Sequence, residues 1–229
     1  RPPRLLSTFR TFRFAVSMLI SLLLRPRNVS CLLSSFMEII THPHPTLKYK
    51  SKPVIRINAE LKAIVSEMFE LMYEAKGVGL AANQVNLPLR LFIANPAGDR
   101  EEGEEFVFIN PVISKGTGNE VADEGCLSLP GVYGPVNRSK SIHVEAFGID
   151  GKAISLDLDD FMARVVQHET DHLDGVMFTE RMVEHSLQAI QPEIEDFEIE
   201  YQSKLADGLI PDETSVHEQL AEWEAKFCQ

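Results

Sequence analysis

Residues 167 to 175 read QHETDHLDG, with two histidines four apart and a glutamate directly after the first. Residues four apart share one face of a helix, so His168 and His172 can offer imidazole nitrogens to a single metal ion. Glu169 then projects about 100° round the helix. That puts it beside the ion's open side, not among its ligands, where a carboxylate can take a proton from an activated water. A catalytic site of this kind takes three protein ligands and keeps one position open, so a third ligand must come from elsewhere. In one class of metalloprotease a further histidine three residues past the glycine supplies it, but Phe178 stands at that position. Glu193 and Glu195 lie downstream in a run so acidic that a solvated helix face explains them better.

The stretch DEGCLSLPG, residues 123 to 131, carries the one cysteine in the middle of the chain. A lone cysteine is more simply a small buried hydrophobe. Here, however, the helix lacks a third ligand, and Cys126 lies between a glycine and a loop-forming Leu-Ser-Leu-Pro-Gly run. Bound as the thiolate, it completes a His2Cys set. In GVGLAANQV, residues 77 to 85, Gly77 and Gly79 permit close approach of a ligand or another strand, although a plain helix cap would also use them. Gln84 brings a primary amide that can donate to a developing oxyanion without titrating. HPHP at 42 to 45 adds two more histidines, which adjoining prolines make a rigid loop more simply than a second metal site.

The elements that must hold these residues are visible in the patterning. Asn58 is a good helix N-cap, and Leu61, Ile64, Val65, Met68, Leu71 and Met72 recur at the spacing of a buried helical face, which Gly77 closes. Residues 89–94, 106–109 and 141–147 alternate or run apolar as short strands, and GIDGK at 148–152 reads as a hairpin turn. A second helix starts near Asp157 or Asp159 and runs through HETDH to Gly175, with Phe161, Val165 and Val166 on its buried side. Helix, several strands, then helix predicts an α+β fold with an antiparallel sheet around the motif helix.

The chain has 229 residues and a formal net charge of -12, with 44% hydrophobic and 24% charged residues, the proportions of an ordinary globular protein with one sizeable core. An acidic balance argues against broad nucleic-acid binding. Three cysteines without short spacing argue against a disulfide framework. Residues 1–36 hold six arginines and no acid, around an apolar run (14–24) too short to span a bilayer. This segment suits an organellar transit peptide, or upstream sequence preceding a true start at Met37; a secretory signal ranks behind both. Residues 37–180 then form the expected catalytic domain. The last part, 181–229, is an acidic, mostly helical extension interrupted by Pro192 and by GLIP at 208–211.

Taken together, GVGLAANQ, EGCLS and QHETDHLDG resemble the three motifs of the peptide deformylases, over roughly residues 37 to 180. LPGVYGPVNR after the cysteine resembles the type 1 branch of bacteria and plastids. The resemblance implies antiparallel β-sheets wrapped around a central metal-binding helix, and removal of the N-formyl group from the initiator methionine of new polypeptides. It implies Cys126, His168 and His172 as metal ligands, Glu169 as acid and base, and Gln84 with the Leu127 backbone N–H as the oxyanion hole. Gly77, Val78 and Gly79 would meet the substrate, Gly79 by strand-like pairing. Val78, Leu127, Phe161 and Val165 would line the methionine pocket. Glu124 joins this substrate-binding set; an ion pair with Arg138 would fix the cysteine loop, the alternative being that both side chains are solvated. The working ion is then Fe²⁺, with Zn²⁺ often the ion recovered. Expected partners are N-formyl-methionyl nascent peptides near the ribosome, with no membrane and no RNA contact through the acidic tail; a homodimer stays open. The tail is expected to pack on the domain or on a second subunit. The location is a bacterial cytoplasm, or a plastid or mitochondrion if residues 1–36 function as a transit peptide. A generic metallopeptidase and a non-catalytic metal-binding module remain as alternatives.

Overall fold

The computed structural model describes residues 37–229, so the readings of residues 1–36 lie outside the described part. Helix α1 (Ala59–Glu74) begins where expected: the Asn58 side chain accepts the Leu61 N–H at 2.9 Å, and Leu61, Ile64, Val65, Met68 and Met72 are buried. Its end differs from expectation. Lys76, at φ 57°, takes the left-handed position assigned to Gly77. A Cβ at Gly77 would stand 2.7 Å from the end of the Leu127 side chain, so the glycine lets the two segments lie close.

Seven strands follow. β1 (Gly79–Ala81), β2 (Leu91–Ala94), β3 (Phe106–Thr117), β6 (Ser141–Phe147) and β7 (Ala153–Asp159) make one antiparallel sheet in the order β1-β2-β3-β6-β7. Between β3 and β6 the chain forms a separate two-stranded hairpin, β4 (Glu120–Cys126) with β5 (Leu129–Arg138). The expected strand at 106–109 is only the start of β3. Asn110 and Lys115, both at positive φ, bulge the strand and break the alternation that would have revealed its second half. The Leu-Ser-Leu-Pro-Gly run, expected as a loop, is the tight turn at Leu127–Ser128 and the first residues of β5. Proline is tolerated in β5 because a two-stranded sheet has free edges.

Helix α2 (Asp160–Leu173) packs against the five-stranded sheet. Its Ala163, Val166 and Leu173 pack with Phe92, Phe108, Ile142, Val144 and Ala146. Phe92 and Phe108 face each other across β2 and β3, with ring centroids 4.8 Å apart. β2 is buried on both faces: Leu91 and Ile93 alternate with Phe92 and enter a second cluster with α1. Val165 and Val166 are buried as expected, but Phe161, in the first turn of α2, is 52% exposed.

Three helices complete the chain: α3 (Glu184–Ala189), α4 (Gln191–Ala206) and α5 (Glu213–Phe227). Their acidic faces are exposed, yet Phe227 is fully buried in the α1 cluster and Ile190 and Phe197 pack behind the β4–β5 hairpin. No helix among the described residues is long and apolar enough to cross a membrane.

Candidate active site

The helical spacing read from the sequence does bring His168 and His172 together, with Nε2 atoms 3.2 Å apart. Cys126, at the end of β4, supplies the third donor: its Sγ lies 3.2 Å from His172 Nε2. The three donor atoms fall within 4.8 Å of one another. Tetrahedral ligands bound at ordinary metal–nitrogen and metal–sulfur lengths stand roughly 3.3 to 3.6 Å apart, so the triangle has the size of a metal site. The surrounding charge agrees. Burial lowers the proton affinity of His168, but its hydrogen bonds to Cys126 and Glu124 and the nearby Glu169 outweigh burial and raise its pKa to about 10. The ionised Glu124 beside the donors suits a cation there, while His172 is itself held well below its ordinary range, by burial first and then by His168. A thiolate and two imidazoles suit Fe²⁺ and Zn²⁺ alike.

Around this triangle the ligands are oriented by hydrogen bonds. Glu124 is buried, which removes the solvated alternative for its pair with Arg138. Its two oxygens accept from Arg138 Nε and Nη2, each at 2.9 Å, from Arg164 Nη1 at 2.7 Å and from His168 Nδ1 at 2.9 Å. That last bond leaves Nε2 of His168 free to face the donor triangle. Despite burial, the Arg138 and His168 partners hold the Glu124 carboxyl far below its ordinary range. Arg138 also reaches Asp171, which accepts two bonds from Arg181. Phe178, where a protease of the other class would place its third histidine, is buried and stacks on His168 with centroids 6.2 Å apart. Glu193 and Glu195 are exposed on α4, outside the donor cluster.

Glu169 points into the site from the same helix. One of its oxygens has no partner, and burial pushes its pKa up to about 7 against the pull of His168 and Arg138. It closes tightly on β1: a Cβ at Gly79 would lie 2.5 Å from Glu169 Oε1, so only glycine fits. Gln84 is held by the Ala81 N–H, which donates to its Oε1 at 2.8 Å. Its Nε2 is thereby aimed at the cysteine turn, 3.4 Å from Cys126 Sγ and 3.2 Å from Ser128 Oγ.

These groups line one cavity of about 490 Å³. Gly77, Val78, Gly79, Gln84, Glu124, Cys126, Leu127, Phe161, Val165, His168 and Glu169 all reach it; His172 lies fully buried behind. Arg164 and Tyr133 also line it and were missed from sequence. Arg164 carried a signal: a charged residue four before His168, inside an otherwise apolar Ala-Arg-Val-Val run. His42 and His44 stand apart. His44 Nδ1 accepts the Thr46 N–H and His42 faces Glu198, as a structural loop would.

A model of the polypeptide deformylase family matches residues 36–188. The chain belongs to the peptide deformylase family. A peptide deformylase of Rhodopirellula baltica is 51% identical over 191 residues, covering 83% of this chain and 95% of that one. A chloroplastic/mitochondrial peptide deformylase of Arabidopsis thaliana is 42% identical, over 73% of this chain and 62% of its own length. Among solved structures, a plant peptide deformylase superposes with a TM-score of 0.74 at 39% identity, over 78% of this chain and 96% of that one. The enzyme from Thermus thermophilus gives 0.67 at 42%, over 71% and 97%. Deformylases of bacteria and of plant organelles thus share this antiparallel fold with the chain, and the family is metal-dependent.

Proposed function

We propose the following division of labour for deformylation of N-formyl-methionyl nascent peptides. The observation that carries it is the convergence, in one cavity, of the Cys126–His168–His172 donor triangle with the unpartnered, buried Glu169 carboxylate. Cys126, His168 and His172 would hold the ion, which when bound acidifies a water and polarises the formyl carbonyl. Glu169, whose pKa lies near neutrality, takes the proton of the attacking water and passes it to the amine as the formyl C–N bond breaks, leaving formate and a free α-amino group. Gln84 Nε2 and the Leu127 N–H donate to the oxyanion. Gly79 pairs with the peptide backbone, and Gly77 leaves room beside it. Val78, Leu127, Phe161 and Val165 receive the methionine side chain, Phe161 from the exposed rim. Glu124, all of whose bonds go to Arg138, Arg164 and His168, serves the site by orienting His168 and borders the substrate without binding it.

The ion we assign is Fe²⁺. Activity should decay in air through oxidation of the iron–thiolate centre and persist anaerobically; equal, air-stable turnover of the Zn²⁺ form would refute this assignment. We place the enzyme near the ribosome in a bacterial cytoplasm, supported by the bacterial relative covered almost in full. Residues 37–180 act as the catalytic domain. The extension serves as packing on it, or in a dimer, and not as an RNA anchor, because residues 180–229 carry 13 acidic against 3 basic groups.

The deciding assay is formate release from formyl-Met-Ala-Ser by anaerobic, Fe²⁺-loaded protein beside Glu169→Ala. We expect the variant to keep its metal and lose activity by about 10²-fold or more. Undiminished turnover would remove Glu169 as the base. Cleavage of internal peptide bonds would favour the metallopeptidase alternative, and metal binding without turnover the non-catalytic one.

A further inference from the structure

The donor triangle is assembled from two elements that the chain makes separately: His168 and His172 come from α2, Cys126 from the β4–β5 hairpin. The hairpin is not a member of the five-stranded sheet against which α2 packs, so its position relative to the helix needs its own tie. Arg164 provides one. It sits one helical turn before His168 and is 7% exposed. Its Nη2 donates to the Glu120 carbonyl at 2.7 Å, and its Nη1 donates to the Val136 carbonyl at 3.0 Å and to Glu124 Oε1 at 2.7 Å. One guanidinium thus grips the main chain of both hairpin strands. It also shares with His168 a single carboxylate, since Glu124 Oε1 takes Arg164 while Oε2 takes His168 Nδ1.

We propose that Arg164 is a positioning residue of the metal centre: it registers the cysteine hairpin against the histidine helix and thereby sets the spacing of the three donor atoms. This rests on the reading of Cys126, His168 and His172 as the ligands. The planar, five-donor fork is what the role requires, because three acceptors on two strands are met from one side chain; a lysine carries its charge as a single point and cannot span them. Besides the Gln167 amide, which exchanges two bonds with the Ser139 main chain just past β5, Arg138 makes a second tie. It belongs to the hairpin itself and reaches α2 through Asp171, a full turn away on the far side of His168. Loss of a bond that orients a ligand typically costs a metal site 10- to 100-fold in affinity.

The test uses the whole chain loaded with Co²⁺, whose visible bands report both thiolate bonding and ligand geometry, together with the rate of Co²⁺ release to a chelator. Arg164→Leu, Arg164→Lys and a control of similar destabilisation remote from the site, Phe227→Ala, are compared with the unaltered protein. We expect Arg164→Leu to release Co²⁺ at least about tenfold faster and to shift the cobalt bands, Arg164→Lys to do so partly, and Phe227→Ala to do neither. Unchanged bands and release in Arg164→Leu would overturn the proposal. So would release that rises equally in Phe227→Ala, since that measures stability alone. If Arg164→Leu does not fold, Arg164→Lys decides by the same criteria. An unaltered protein showing no thiolate–cobalt band would fail one step earlier, by removing the ligand assignment itself.

Discussion

Glu169 and Gly79 make a pair whose chemistry depends on a missing atom. The carboxylate fills the space a Cβ would take, and that contact fixes where Glu169, the base we propose, stands relative to β1. Gly79→Ala should therefore displace Glu169 and the strand proposed to pair with substrate. The expected result is a fall in kcat/KM of at least about 100-fold, the consequence of an ångström-scale misplacement of a reacting group. Far-UV circular dichroism should be unchanged. Steady-state kinetics on the formyl tripeptide would check this, and near-normal turnover would show that the two elements can part without harm.

At the level of elements, the connection leading to the site depends on an uncharged histidine. His44 accepts the Thr46 N–H at the start of the 3-10 turn Pro45–Lys48, and burial lowers its pKa from 6.5 to about 4. The unfolded chain therefore binds a proton over this range that the folded chain refuses. Stability from this group is complete above about pH 6.5 and is lost as pH falls toward 4. Urea midpoints measured at intervals between about pH 7.5 and 4.5 should show that decline. His44→Gln, which cannot titrate, should flatten this component, whereas parallel profiles would assign the acid sensitivity elsewhere.

For the molecule as a whole, the acidic extension has apolar anchors that its composition hides, Phe227 the last of them. Phe227, two residues before Gln229, is fully buried among the α1 and β2 side chains, and its carbonyl accepts the Ile55 N–H at 2.8 Å. Truncating a buried Phe costs about 3 to 5 kcal/mol. Phe227→Ala should accordingly lower the melting temperature by on the order of 10 °C for a domain of this size. Turnover per folded molecule should persist, since Phe227 lies outside the cavity. A shift within about 2 °C would mean that the tail is not part of the cooperative unit.

Local chemistry was legible without coordinates. A period of 3.6 residues suffices to bring His168 and His172 together and to set Glu169 beside them, and an N-cap with an apolar stripe suffices to define α1. Three motifs in order pointed to the family and to Cys126 and Gln84, which the fold brings into one cavity. What the tertiary structure alone decided are the relations between segments far apart in the chain: that a Cβ at Gly79 would meet Glu169, that Glu124 serves Arg164 and His168 besides Arg138, and that Arg164 bonds the main chain of the cysteine hairpin to α2. Such contacts leave no periodicity, because each joins residues dozens of positions apart whose proximity is fixed only when sheet, hairpin and helix pack. The bulges at Asn110 and Lys115 and the prolines of β5 hid real strands for a related reason. Local propensity there points to a break, and long-range pairing overrides it.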